Sequence, residues 1–294
     1  MIIKPTRREF IKSAALAGGA LLAPKLLMAG GAPSYGQTEL IHTIRRCGLT
    51  SGLKVCLDAG DANSAPSATQ TWYDLSGGGY DFFVGFTASA QASDPTQNGT
   101  AGRRSSGEYW SFDGGDYFRY DSATEAWMEN LHKDNAKFTF FTWVHVPATT
   151  VAHGLCGTED GNGANPGAWW DINGTEQMQF AARRTAGASN ISVIDSTVIP
   201  SGVWVCLALS VDEAVGANGG LFFVSGTTTT FTSTYTTPDT AAAQGRLYIG
   251  SLGASNFPME NTCRMGMFAV WESVALTKPQ LLALYQSTRG RFGV

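Results

Sequence analysis

The sequence is poor in charge and in the residues that metal and nucleophilic chemistry need. Only 15% of its 294 residues are Asp, Glu, Lys or Arg, and it holds four His and five Cys. It contains no CxxC pair, no HExxH motif, no Gly-x-Ser-x-Gly elbow and no Walker or Rossmann phosphate loop. These absences argue against zinc sites of those types, α/β-hydrolases and nucleotide-binding enzymes. We interpret Cys206 and Cys263 as apolar strand residues, and a disulfide between Cys47 and Cys56 stays open.

What the sequence does have is typical of short strands. Hydrophobic residues make up 43% and aromatic residues 11%, with 35 Gly, a composition that favours strands joined by tight turns over disorder or long surface helices. From Gly52 onward apolar residues alternate with period two, the pattern of a strand with two distinct faces. Strands are predicted at Lys54–Asp58, Tyr109–Phe112, Tyr117–Tyr120, Phe138–Val146, Trp169–Ile172, Met178–Arg183, Ser192–Ser196, Val203–Asp212, Leu221–Gly226, Gly245–Ser251 and Arg264–Trp271.

So many strands need two packed sheets, because one open sheet would leave its faces uncovered. The strand around Phe140 should have two apolar faces, since Phe138, Phe140 and Val144 alternate with Phe141 and Trp143. The strands beginning at Val203 and Leu221 should form a hairpin. The sequence thus predicts an all-β, two-sheet sandwich.

One short helix is expected near the end of the chain. Thr277 and Gln280 form a capping-box pattern, with Pro279 in the first turn and Leu281, Leu282, Leu284 and Tyr285 after it. Residues 289–294 are then a short tail.

Charge divides the chain into a basic arm and an acidic body. Residues 1–46 carry seven Lys or Arg and two Glu, a net charge of +5. The other 248 residues carry 13 Lys or Arg and 22 Asp or Glu, a net charge of −9. A basic arm suits a membrane, a nucleic acid or an acidic protein surface, and charge alone does not choose among them.

The arm resembles a twin-arginine export signal. The resemblance rests on Arg7, Arg8, Phe10, Ile11 and Lys12, followed by an Ala/Gly/Leu core that contains Leu21 and Leu22 and is too short to span a bilayer. A signal would be cleaved after Ala29. Against cleavage, Lys25 interrupts the apolar run and the next residues form a poor cleavage site, so a retained arm that anchors the body to a partner is the other interpretation.

The body, residues 52–288, resembles the laminin-G-like, concanavalin A-like jelly roll. Six segments in order carry the resemblance: Trp72–Asp81, Tyr109–Phe118, Phe138–Val144, Trp204–Val211, Leu247–Gly250 and Phe268–Tyr285. Together with the arm, the domain is similar to head-fibre, decoration or tail-fibre proteins of tailed bacteriophages. That resemblance implies a non-enzymatic protein on the virion surface, bound to capsid or tail proteins through its arm. It also implies a homo-oligomer, with a trimer favoured by analogy, and no nucleic-acid partner.

The alternative is a bacterial glycan-binding protein, exported by the twin-arginine route and therefore periplasmic or secreted. Either protein could bind surface glycans, which need aromatic faces with polar neighbours. The candidates for contact with a glycan or another partner are Trp127, between two glutamates, and the run Trp169-Trp170-Asp171. Adjacent strand residues point to opposite faces, so at least one tryptophan of that run should pack inward.

Catalysis is not expected. Glycoside hydrolases with this sandwich place paired carboxylates on one strand, and no Glu-x-Asp-x-x-Glu occurs here; the acidic clusters Asp113/Asp116, Glu159/Asp160 and Asp212/Glu213 fall at predicted turns. No cofactor is required. Calcium is a candidate ligand because laminin-G-like domains often bind it through loop carboxylates, and the residues of suitable type are Asp113, Asp116, Asp160, Asn162 and Asp171.

Overall fold

Strands dominate the structure because apolar and polar side chains alternate over short stretches bounded by turn-forming residues. The computed structural model describes residues 39–122, 125–148, 150–159, 165–184, 189–238, 240–243, 245–254 and 256–294. In these residues sixteen strands form two sheets of eight, and every pairing between neighbouring strands is antiparallel. The predicted all-β, two-sheet sandwich is confirmed.

The first sheet, sheet A, has a central strand, β16, with neighbours on both sides. In spatial order it contains β14 (Thr227–Phe231), β13 (Gly220–Val224), β12 (Trp204–Asp212), β7 (Lys137–His145), β16 (Arg264–Glu272), β5 (Tyr109–Ser111) and β4 (Thr96–Asn98). The eighth strand, β1 (Leu53–Asp58), also pairs with β16. The predicted hairpin is confirmed as β12 and β13.

The second sheet, sheet B, combines long strands at one end with very short ones at the other. Its order is β11 (Ser189–Val198), β10 (Gln177–Arg183), β9 (Gly167–Ile172), β8 (His153–Gly157), β15 (Tyr248–Ile249), β6 (Phe118–Tyr120), β3 (Phe82–Val84) and β2 (Thr71–Trp72).

The main hydrophobic core lies between the two sheets. Strand β7 has the predicted division of faces: Phe138, Phe140 and Val144 belong to this core, whereas Phe141 and Trp143 belong to a second cluster on the outer side of sheet A. Both faces are buried because two helices cover the outer cluster, as the apolar pattern on both faces requires.

The C-terminal helix, α2, spans Lys278–Phe292 and begins with the predicted capping box at Thr277. It includes most of the residues assigned to a tail, because Phe292 is buried and its ring stacks on Trp143 with centroids 4.4 Å apart. The helix ends at Gly293, whose φ of +74° suits a residue without a side chain.

A second helix, α1, spans Leu40–Arg46, within the segment assigned to the arm. Leu40, Ile41 and Ile44 are buried in the outer cluster of sheet A. The folded body therefore includes residues before position 52. Neither α1 nor α2 is long and apolar enough to cross a membrane.

The candidate anchor residues lie outside the described residues: Arg7, Arg8, Phe10, Ile11, Lys12, Leu21 and Leu22. The five cysteines are inside them and are all free thiols, so Cys47 and Cys56 form no disulfide in this structure. Cys206 and Cys263 are buried, the first within β12 and the second directly before β16.

Candidate functional site

The outer faces of the two sheets differ in what covers them. Helices α1 and α2 pack on sheet A through a cluster that includes Trp143 and Trp271. The indole N–H of Trp143 donates to Thr288 Oγ1 at 2.8 Å, and that of Trp271 donates to the Leu49 carbonyl at 2.6 Å. Among the described residues no helix lies on sheet B. Its outer face is therefore the candidate site.

Strand register places one residue from each of seven strands in a line across this face. We call this line the transverse row; its pairings join Phe83, Arg119, Tyr248, Gly157, Trp169, Ala181 and Ser192. Their chain neighbours, such as Phe118 and Trp170, lie in the main core. Because successive strand residues point to opposite faces, the row points outward.

Trp169 is the largest side chain of the row, and other residues cover it. Its ring lies 4.6 Å from the guanidinium carbon of Arg183, which forms an ion pair with Glu159 at 2.9 Å. Leu252 packs against it in a small apolar cluster, and only 7% of its surface is exposed. A Cβ on Gly157 would lie 3.2 Å from Trp169 Cβ, so this strand position has no room for a side chain.

Asp171 lies on the same face two residues further along β9. Its strand partners are Gly154 and Gln179. The carboxylate is 5% exposed and its Oδ1 atom has no hydrogen-bond partner. Burial raises the pKa of Asp171 to about 7, so this side chain changes charge near neutral pH.

The segment around Phe257 covers Gly154. The Gly154 amide donates to the Phe257 carbonyl at 2.7 Å, and a Cβ on Gly154 would lie 2.8 Å from the Phe257 oxygen. Phe257 itself has φ of +48°, an uncommon conformation for a bulky residue, yet its ring is 51% exposed. A strained backbone thus presents an aromatic side chain to solvent beside Asp171.

A second exposed aromatic ring lies beside Arg119, towards the Phe83 end of the row. Phe86 is 44% exposed, and the guanidinium carbon of Arg119 lies 3.9 Å from its ring centroid. Gly85 places Phe86 there, since the Gly85 amide donates to the Tyr117 carbonyl at 2.9 Å. The sheet B face therefore has two exposed aromatic rings, one stacked on Arg119 of β6 and one in the segment bonded to β8.

The tryptophans predicted to contact a partner are buried. Trp170 packs inward, as the strand pattern requires of one member of its pair, and stacks on Phe140 with centroids 6.0 Å apart. Trp127 is 5% exposed and meets Tyr80 edge-on at 5.5 Å. The expectation of an exposed tryptophan platform is corrected, because Leu252 and the main core cover these rings. No motif in the sequence distinguishes Phe86, Arg119 and Phe257.

Of the candidate calcium residues, the structure describes Asp113, Asp116 and Asp171, and these three form no metal-binding group. Asp113 and Asp116 bond to each other, since the Asp113 amide donates to Asp116 Oδ2 at 2.9 Å. Burial and the charge of Asp113 raise the pKa of Asp116 to about 7. Asp160 and Asn162 lie outside the described residues. Within the described part of the chain no group of three or more His, Cys, Asp or Glu could hold a metal ion.

Comparison with known sequences gives no family: no family model and no curated protein matches the chain. Solved structures do match. The binding domain of botulinum neurotoxin DC in complex with SialylT is 12% identical, with a TM-score of 0.56 over 81% of this chain and 52% of that one. The receptor binding domain of botulinum neurotoxin D is 11% identical, with a TM-score of 0.53 over 81% and 53%.

An enzyme is also among the similar structures. Trypanosoma rangeli sialidase in complex with sialic acid is 13% identical, with a TM-score of 0.50 over 81% of this chain and 33% of that chain. The chain thus spans about half of the toxin structures and a third of the sialidase. Identities this low show the fold alone. The chain is a jelly-roll-like β-sandwich similar in fold to these proteins.

Proposed function

We propose that the protein is a non-catalytic glycan-binding protein that uses the outer face of sheet B. The observation that carries the proposal is the pair of exposed rings, Phe86 beside β6 and Phe257 beside β8, on a face with no helix over it among the described residues. The C–H faces of a sugar ring pack on aromatic rings, while its hydroxyls bond to planar polar groups. Gln179, which is partly exposed on β10 of the same face, offers such a group.

The structural neighbours support this proposal without deciding it. The titles of two of them name SialylT and sialic acid, and a further neurotoxin structure, of type C, is described as depending on two ganglioside molecules for cell entry. These are properties of those proteins. They show that a sandwich of this kind occurs in proteins that recognise sugars.

The contacts of the acidic side chains support a binding rather than a hydrolytic role. Asp212 pairs with Lys137 at 2.7 Å. Glu213 is buried and accepts the Asn135 and Tyr235 amides at 2.9 and 3.0 Å. Glu159 is likewise buried in its pair with Arg183. These carboxylates stabilise the fold, whereas a catalytic pair must face one sugar-binding groove.

The basic arm supports display on a larger assembly. Our proposal is a virion surface protein of a tailed phage, of the decoration, head-fibre or tail-fibre type, with residues before the body bound to capsid or tail proteins and with the body oligomeric. The twin-arginine-like segment favours the alternative, an exported glycan-binding protein that is periplasmic or secreted. The two differ in whether the arm is retained.

Glycan-array binding by the full-length chain tests the central proposal. We expect a defined subset of glycans to bind, and Phe257→Ala to weaken that binding about tenfold or more, the usual effect of losing an aromatic contact. Val215→Ala, at a 60% exposed position between β12 and β13 of sheet A, is the control and should bind normally. Absence of any bound glycan, or release of reducing sugar from the array polysaccharides, would overturn the proposal.

A further inference from the structure

Arg119 stands out on the sheet B face because its surroundings hold its position and leave its charge unpaired. It is the middle residue of β6, with Phe83 and Tyr248 as its partners in the transverse row. Phe86 covers one face of its guanidinium at 3.9 Å. The side chain is only partly exposed, so its orientation is set by packing rather than by solvent.

No described carboxylate pairs with Arg119, whereas two arginines elsewhere in the body have such a partner. Arg183 pairs with Glu159, and Arg291 with Asp58. The Nε atom of Arg119 is buried and has no hydrogen-bond partner among the described residues. An unmade hydrogen bond at a buried donor costs about 1–3 kcal/mol in general, so hydrogen bonds to the described residues do not satisfy the Arg119 guanidinium.

The acidic residue nearest to Arg119 along the chain does not form an ion pair with it. Asp121 points to the same side, two residues further on, but burial and the charge of Asp81 raise its pKa, and the cation that lowers it is Arg246. The guanidinium edge of Arg119 therefore remains available on a face that we propose binds sugars.

The shape of the guanidinium edge of Arg119 determines which class of ligand fits it. A guanidinium has five N–H donors in one plane. When an aromatic ring stacks on its face, the N–H donors at its edge are left to bind a ligand. A planar carboxylate accepts two parallel N–H bonds from such an edge. We propose that Arg119 binds the carboxylate of an acidic sugar, such as a uronic or sialic acid, while Phe86 and Phe83 contact its apolar surface. This inference rests on the proposed glycan-binding function.

The test compares matched acidic and neutral sugars by isothermal titration calorimetry with the full-length chain. The probes are oligosaccharides bearing either a sialic or a glucuronic acid, their carboxyl methyl esters and a sulfated counterpart. We expect the acid to bind about tenfold or more tightly than its ester. Arg119→Gln should abolish that difference, whereas Arg119→Lys should keep a part of it, because a point charge lacks the bidentate geometry.

Arg264→Gln is the matched control. Arg264 also stacks on a ring, that of Tyr109 at 4.9 Å, but it lies on sheet A. The Arg264→Gln variant should bind the acidic and neutral sugars like the unmodified chain. Thermal melting of all variants checks that they are folded. Binding of ester and acid with equal affinity would overturn the carboxylate proposal alone, as would equal loss in Arg264→Gln or equal affinity for the sulfated sugar. If no sugar binds, the proposed function fails as well.

Discussion

Removing one member of the buried ion pair between Asp58 and Arg291 should destabilise the whole body. Both side chains are 0% exposed. Arg291 also donates to the carbonyls of Ser105 and Glu108 at 3.2 and 3.0 Å, and Asp58 accepts the first amide of α1, that of Leu40, at 3.1 Å. The pair thus joins the two helices to β1 and to the segment before β5.

The expected magnitude follows from the charge left behind. Arg291→Met leaves the Asp58 carboxylate buried without its cation, which costs about 3–5 kcal/mol in comparable cases. For a domain of this size each kcal/mol lowers the melting temperature by roughly 2–4 °C, so a decrease of roughly 6–20 °C is expected. Asp58→Asn should have a similar effect, because Arg291 then lacks its anion.

The double variant distinguishes the interaction between Asp58 and Arg291 from the contacts that each makes with other residues. Asp58→Asn with Arg291→Met leaves no unpaired charge, so its loss of unfolding free energy should be well below the sum of the two single losses. Urea unfolding measures all three, with Arg289→Met as the control, since Arg289 is exposed on the same helix and should change stability by about 0.5 kcal/mol or less. The reasoning is refuted if Arg291→Met behaves like the control or if the two losses are additive.

Two further predictions concern Asp171 and the arm. Burial raises the pKa of Asp171 from 3.8 to about 7; between these values the folded chain keeps a proton that the unfolded chain has lost, so stability falls as pH rises. Denaturant unfolding at pH 4, 5.5 and 7 measures this effect. The unfolding free energy of Asp171→Asn, relative to that of the unmodified chain, should rise by up to about 1.4 kcal/mol per pH unit. A difference independent of pH would contradict the prediction. Mass spectrometry of native material should find the N-terminal arm intact, whereas a terminus near residue 30 would exclude the anchor and favour the exported protein.

The sequence predicts the parts of this fold whose signals are local. Alternation alone assigns the two faces of β7, and the Thr277 capping box locates the start of α2. Strands β2, β3 and β4 have two or three residues each, too few for a period to show. Helix α1 is seven residues long, and its burial comes from sheet A rather than from helix propensity, which is marginal at that length.

The candidate site was harder to predict because distant segments decide its exposure. The order Trp169-Trp170 shows that one ring points inward, but only the packing of Leu252, some eighty positions later, shows that Trp169 is covered too. Phe86 and Arg119 meet because Gly85 bonds to Tyr117. No sequence period links residues that are brought together by pairing between strands this short.

The covering of sheet A also bears on how the protein could be displayed. Leu40, the first residue of α1, is buried in the outer cluster of sheet A, and its amide is fixed by Asp58. The chain thus enters the folded body on the side opposite the sheet B face. Helix α1 therefore leaves Phe86, Arg119 and Phe257 unobstructed. Within the described residues, the proposed glycan-binding face and the first helix of the body thus lie on different sheets.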